Sequence, residues 1–241
     1  VPDVAFKDLC IDVTAGEGRP AAVAAFWGAA LGQQVVLHDD GDAHLLPPPG
    51  GPNQRIVWIN AVPERPAGKS RVHLDIRVAD GDPAALIAAG ATRVRAPDSG
   101  PDGDVHWYVL DDPDGVALCV FGPHPAAPEL LGPFELVVDA ADPERMATWW
   151  AARTGGTVGR RHGTPWAWIE GAVGLPFMFW VFNPVPEPKT VKNRVHWDVR
   201  LVDATVDDLV AAGATLLRSP DGEIDWWVLA DPEGNEFCAF T

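Results

Sequence analysis

The sequence predicts an α+β chain built from four copies of one strand-helix-three-strand module, two per domain, in two tandem domains. Three observations carry this. The 241 residues fall into halves of identical charge, with 17 acidic and 9 basic side chains in each. Segments of the first half return in the second at a nearly constant offset. Within each half, strand-like alternation gives way to helical spacing and back again, twice.

The repeat is explicit. Arg71-Val-His-Leu-Asp-Ile-Arg77 returns as Arg194-Val-His-Trp-Asp-Val-Arg200, an offset of 123. Upstream, Arg19-Pro-Ala-Ala-Val-Ala-Ala-Phe-Trp27 matches Asp142-Pro-Glu-Arg-Met-Ala-Thr-Trp-Trp150 at the same offset. The offset falls to 119 where Asp112-Pro-Asp-Gly115 meets Asp231-Pro-Glu-Gly234, so the first copy has four extra residues near Ser99–Asp104. A period this long means two copies of a domain rather than a solenoid. The expected division is domain 1 over 1–122, a Pro-rich linker over 123–131 and domain 2 over 132–241.

The elements of the first copy follow in order. Residues 4–13 read as a strand, 20–31 as a helix ending near Gly32, and 34–38, 43–46 and 55–62 as strands. The order restarts with a strand at 71–79, a helix at 82–89 stopped by Gly90, and strands at 92–96, 105–110 and 116–121. The Asp-Pro-x-Gly turns supply the Pro and Gly that a tight connection between the last two strands needs. Each domain is expected to curl these strands into a mixed sheet around a groove.

Composition narrows the function. With 18 Lys+Arg against 34 Asp+Glu the net charge is −16, which disfavours nucleic acid and anionic membrane surfaces. Apolar residues make up 47% and charged residues 22%, the balance of a globular protein with a core. No apolar run approaches the ~20 residues of a membrane span. Cysteines stand only at 10, 119 and 238, too few for a disulfide scaffold, and the chain reads as cytoplasmic. Gly-rich phosphate loops, a nucleophile elbow and Cys-x-x-Cys are all absent from the sequence.

Alternation then sorts the side chains by face. His73, Asp75 and Arg77 share one face of their strand, opposite Val72, Leu74 and Ile76; His196, Asp198 and Arg200 do the same in the second copy. The apolar face packs on helices, which leaves the polar triplets to the groove. On the first strand of each domain Asp8, Cys10 and Asp12 match Glu135, Val137 and Asp139. Eleven Trp suit an aromatic-walled groove: Trp107, Trp166, Trp168, Trp226 and Trp227 lie on predicted strands, whereas Trp27, Trp149 and Trp150 lie on helices and belong to the core.

The fourfold module, the Phe-Trp or Trp-Trp late in the first helix, the Val-His-x-Asp strand and the Asp-Pro-(Asp/Glu)-Gly turn together resemble the vicinal oxygen chelate superfamily. Within it they resemble the glyoxalase-like, bleomycin-resistance-type domains, here as a tandem duplicate. The resemblance spans nearly the whole chain and implies metal ligands on the first and last strands of modules. Transferred by position, these are Asp8, Asn60, His73 and Cys119 in domain 1 and Glu135, Asn183, His196 and Cys238 in domain 2. Cys stands in both domains where the superfamily's metal enzymes carry Glu. That substitution removes the strongest ligand for hard ions and leaves a set more acceptable to zinc.

The candidate catalytic residues are His196, Asp198, His73 and Asp75, and the candidate ligand-binding residues are Arg77, Arg200, Trp107, Trp226, Asn60 and Asn183. Glu135, His196 and Cys238 form the candidate metal set. Each has a plainer alternative: a groove His bonded to a neighbour, an Asp paired with the nearby Arg, an inert buried thiol. The preferred expectation is a protein binding a small, partly apolar organic molecule without the usual catalytic metal. The alternative is a metal-dependent lyase, isomerase or dioxygenase resembling lactoylglutathione lyase, using Zn, Ni, Mn or Fe; a weaker third is a structural module that binds a protein partner. No nucleic-acid or membrane partner is expected, and the chain is expected to be a monomer or homodimer.

Overall fold

The computed structural model describes residues 1–47, 57–97 and 106–241; the extra segment near Ser99–Asp104 and the starts of the strands expected at 55–62 and 105–110 lie outside the described residues. The elements run β1 Val4–Thr14, α1 Arg19–Leu31, β2 Gln34–Leu37, β3 Ala43–Leu46 and β4 Val57–Val62, then β5 Val72–Arg77, α2 Ala84–Ala88, β6 Thr92–Arg95, β7 Tyr108–Asp111 and β8 Ala117–Phe121. The second copy repeats them as β9 Gly132–Ala140, α3 Pro143–Thr154, β10 Thr157–Arg160, β11 Ala167–Glu170 and β12 Phe179–Pro184, then β13 Val195–Leu201, α4 Val206–Ala211, β14 Thr215–Arg218, β15 Trp227–Ala230 and β16 Glu236–Phe240. This is the strand-helix-three-strand order, four times over. Among the described residues, no helix is long and apolar enough to cross a membrane.

The helices start and stop where their sequences dictate. Pro occupies the first turn of α1 and α3, where its missing N–H costs nothing, and Gly32 and Gly155 end them at φ 63° and 71°, a left-handed conformation open to Gly. Asp142 caps α3 by accepting from the Arg145 N–H, and Thr205 and Asp208 form a capping box at α4.

Within a module the first strand lies parallel to the last. Asp75 faces Cys119 and Arg77 faces Phe121 across β5 and β8; Asp198 faces Cys238 across β13 and β16. Two curved eight-stranded mixed sheets result, each from two modules, as the sequence predicts. Their strand orders are β14-β15-β16-β13-β1-β4-β3-β2 and β10-β11-β12-β9-β5-β8-β7-β6, so the partners are not successive modules. The first module's strands join the fourth's, and the second's join the third's. Every module has the same two edges, its first strand and the strand after its helix, so the repeat alone does not say which edges meet.

By density of internal contacts the chain forms two units: an N-half unit, Ile11–Glu135, and a C-half unit, Leu136–Thr241 together with Val1–Cys10. In the N-half unit Phe26 and Trp27 of α1 are buried, and the Trp27 Nε1–H donates to Asp112 Oδ2 at 2.8 Å. Asp112 Oδ1 meanwhile accepts from the Asp114 and Val116 N–H groups, closing the Asp-Pro-Asp-Gly turn. The C-half unit repeats the device: Trp150 Nε1–H donates to Asp231 Oδ2 at 3.3 Å, and Asp231 Oδ1 accepts from Glu233 and Asn235. The helix Trp and the turn Asp thus lock a module to its successor inside each unit. Around Trp150, the rings of Trp180, Trp197 and Phe237 lie 4.8 to 5.3 Å away and form the C-half core. Truncating a residue such as Trp150 to Ala would cost on the order of 3–5 kcal/mol.

Candidate functional site

Alternation along β5 places His73, Asp75 and Arg77 on one face, and the parallel pairing with β8 adds Cys119 beside Asp75. His73 Nε2 lies 3.3 Å from Asp75 Oδ1. One donor atom each from His73, Asp75 and Cys119 falls within 4.8 Å of the others. Glu135, at the last position of the N-half unit, lies close enough to Asp75 to feel its charge. Burial, then the Asp75 charge, push the Glu135 carboxyl up to about 8. Burial pulls the His73 imidazole down, but hydrogen bonds with Asp75 and Cys119 and the Asp75 charge outweigh it, holding His73 well above its ordinary value. Burial also raises the Cys119 thiol. At neutral pH the cluster therefore presents a mostly un-ionised Glu135 carboxyl and an un-ionised Cys119 thiol.

Aromatic rings continue the same face. Trp107 stacks on Phe121 at 5.0 Å and 22°, Phe121 meets Phe134 edge-on at 5.4 Å, and the Arg77 guanidinium lies over the Phe134 ring at 3.8 Å.

The C-half unit carries the counterpart with a different charge balance. Cys10 Sγ–H donates to Asp198 Oδ1 at 3.6 Å, and Cys10, His196 and Asp198 form a second three-donor cluster, all buried. Lys7 Nζ lies 2.5 Å from Asp8 Oδ2 and 3.6 Å from Asp198 Oδ2, and sits 4.3 Å over the Phe240 ring. Burial raises the Asp198 carboxyl, opposed by the charges of His196 and Lys7. Trp226 stacks on Phe240 at 5.5 Å and 26°, as Trp107 does on Phe121.

The predicted residues thus assort by unit. Glu135 joins His73, Asp75 and Cys119, while His196 and Asp198 join Cys10 and Asp8. Of the expected metal set, Glu135 falls in the N-half unit and His196 and Cys238 in the C-half unit. The reason lies in the strand order, in which β9 neighbours β5 and β1 neighbours β13. Arg77 is half-buried on its aromatic ring, whereas Arg200 is exposed. Asn60 and Asn183 are half-buried and make no side-chain hydrogen bond among the described residues. Of the tryptophans expected on strands, Trp168 and Trp227 are on them, whereas Trp107, Trp166 and Trp226 each stand just before one, and Trp166 is exposed.

Two features escaped the sequence reading. Lys7 points opposite to Asp8 by strict alternation, and only its long flexible stem brings the ammonium round to the carboxylate. His38 Nε2 and His44 Nδ1 lie 2.6 Å apart and both rings pack on Trp58. The pairing of His44 with Trp58 across β3 and β4 is the signal that could have exposed this group.

A thiol, an imidazole and a carboxylate suit a zinc-type ion better than an oxygen-seeking one. The N-half donors fit such an ion. The C-half donors do not, because an ammonium already compensates Asp198 and Asp8.

Comparison with known proteins agrees with this architecture. The family model for the glyoxalase-like domain matches twice, over residues 8–121 and 135–240. The chain is similar in structure to glyoxalase I from Zea mays, with 16% identity, a TM-score of 0.67, and coverage of 98% of this chain and 92% of that one. It also matches the Mn(II)-bound glyoxalase from Novosphingobium aromaticivorans, with 14% identity, a TM-score of 0.35, and coverage of 99% and 82%. A third match is the 2,3-dioxygenase LapB from Pseudomonas sp. KL28, with 14% identity, a TM-score of 0.35, and coverage of 100% and 92%. Among curated proteins, no match was found.

Proposed function

The chain belongs to the glyoxalase-like domain family, and from that premise we propose that it binds a small, partly apolar organic molecule in a polar-floored, aromatic-walled groove, without a catalytic metal. The observation that carries this reading is Lys7. Its ammonium pairs with both Asp8 and Asp198, so the negative charge that would hold a divalent ion is already balanced by the chain itself. In the N-half unit a proton plays that part, since Glu135 at about 8 is mostly un-ionised at neutral pH. The groove floor then offers hydrogen-bond donors, from His73 and the Glu135 carboxyl, to acceptor oxygens on a ligand. Trp107 with Phe121, and Trp226 with Phe240, supply flat apolar walls. The net charge of −16 argues for a small-molecule partner rather than nucleic acid or an anionic membrane. Three buried cysteines, none of them in a disulfide, support a cytoplasmic setting. A monomer or homodimer accords with the tandem duplication.

The three-donor N-half cluster favours a second reading. Here His73, Asp75 and Cys119 would hold a zinc-type ion, which would supply Lewis-acid polarisation of substrate oxygens. Glu135 would move a proton beside it, as its raised value suits an acid-base group working near neutrality.

Metal analysis of the purified protein after exposure to Zn, Ni, Mn and Fe separates the two. The first reading expects metal well below one equivalent, unchanged in His73→Ala, together with quenching of Trp fluorescence by some members of an aromatic ligand panel. One equivalent of tightly held metal that disappears in His73→Ala overturns it in favour of the second.

A further inference from the structure

We infer that the N-half groove selects ligands carrying an anionic group beside a flat ring, with Arg77 as the anion receptor; this rests on the ligand-binding reading above and names its ligand class. The N-half unit contains many acidic side chains, yet the Arg77 guanidinium is in salt-bridge contact with none of them among the described residues. It makes one long hydrogen bond, from Nη1–H to the Gly122 carbonyl at 3.4 Å, and rests on the face of Phe134 at 3.8 Å. A guanidinium carries five N–H donors in a planar fork, so most of its hydrogen-bonding capacity stays free. Glu135 and Asp75 act on it by charge, but neither carboxylate is in salt-bridge contact with the guanidinium.

The surroundings define the rest of the ligand. Phe134 stacks under the guanidinium and meets Phe121 edge-on; Phe121 in turn carries Trp107 in an offset stack. Ring contacts therefore link the cation to the indole: Phe134 is buried beneath the guanidinium and perpendicular to Phe121, and Phe121 stacks on the half-buried Trp107. The parallel register that sets Arg77 against Phe121 holds the cation and the wall together on rigid strands rather than on loops. A ring packed beside this cluster would place a carboxylate or equivalent anion on the guanidinium fork, where a bidentate, partly desolvated contact is strong. The second copy has no equivalent receptor. Its Arg200 is exposed, and the cation on its Phe240 ring, Lys7, is already engaged by Asp8 and Asp198. The inference therefore predicts one anion-selective site per chain, in the N-half unit.

Isothermal titration with 1-naphthoate and its neutral counterpart 1-naphthamide tests this on the full chain at pH 7. The expected result is about one site per chain and at least tenfold tighter binding of the naphthoate, which is roughly 1.4 kcal/mol. Arg77→Gln should abolish that preference, Arg77→Lys should keep part of it, and Arg93→Gln, at an arginine stacked on Tyr108, should leave it intact. Circular dichroism of Arg77→Gln establishes that the variant is folded; if it is not, Arg77→Lys decides, and there an unchanged preference overturns the inference. Equal or tighter binding of the amide, or a preference that persists in Arg77→Gln, overturns it too. If neither naphthalene binds but a neutral ligand from the aromatic panel does, the anion class is wrong while the ligand-binding reading stands. If no panel member binds, both fail.

Discussion

The two duplicate clusters solve one electrostatic problem differently. Each holds a buried His-x-Asp pair next to a carboxylate from the first strand of another module: Glu135 beside Asp75 in the N-half unit, Asp8 beside Asp198 in the C-half unit. Two like charges in a poorly solvated place cannot both remain uncompensated. In the C-half unit a cation answers, because Lys7 precedes Asp8. At the equivalent position before Glu135 the sequence has Phe134, so in the N-half unit a proton must answer, and the Glu135 carboxyl rises to about 8. The Lys7-to-Phe134 difference between repeats thus leaves one cluster as an ion-pair network. The other becomes a proton-bearing site beside an arginine in no salt bridge among the described residues.

The largest expected effect breaks the C-half solution. Lys7→Met removes the compensating ammonium and leaves Asp8 and Asp198 buried together, and should lower unfolding free energy by about 3 kcal/mol at pH 7, as read from urea denaturation. A loss under 1 kcal/mol would mean that the pair contributes little. Next, transplanting the cation should convert one unit into the other. In Phe134→Lys, the Glu135 carboxyl should titrate below neutrality instead of near 8, as followed by infrared or carbon-13 carboxyl signals; an unchanged titration would refute the account of the difference.

Acidity itself sharpens the contrast. A carboxyl raised from 4.5 to about 8 contributes stability that is full below 4.5 and is lost as pH climbs through 8, and His73, also raised, acts in the same sense above 6.5. The urea midpoint of the wild type should therefore be lower at pH 8.5 than at pH 5. Glu135→Gln should flatten that fall, and an equally steep fall in the variant would argue that Glu135 is not its source. Smallest are the paired changes Trp27→Phe and Trp150→Phe, each of which deletes one indole hydrogen bond to a buried turn carboxylate. Losses of about 1–2 kcal/mol are expected from thermal or urea unfolding. The Trp27 variant should cost more, because its bond is shorter, 2.8 against 3.3 Å.

Much of this was legible beforehand, and for local reasons. The four modules could be read because period-2 alternation and capping signals are properties of short segments. The co-facial His73, Asp75 and Arg77 follow from the same period. The burial of Trp27 and Trp150 was legible too, yet their hydrogen bonds to Asp112 and Asp231 were not, since nothing local joins a helix to a turn some 80 residues away. That Glu135 stands with His73, Asp75 and Cys119 was not legible for the same kind of reason: the expected set took a first strand to serve its own repeat, while the sheet orders put β9 beside β5 and β1 beside β13. Lys7 escaped because alternation describes where a Cβ points, and a four-carbon side chain can end elsewhere.

What the sequence determined by itself is the module, its duplication and the polar triplet each strand offers to one face, because these depend only on neighbours along the chain. What the tertiary structure decided is which first strands meet, and so which acid joins which histidine. Equivalent edges of near-identical modules can pair in more than one way. The choice between them is made by contacts far apart in sequence.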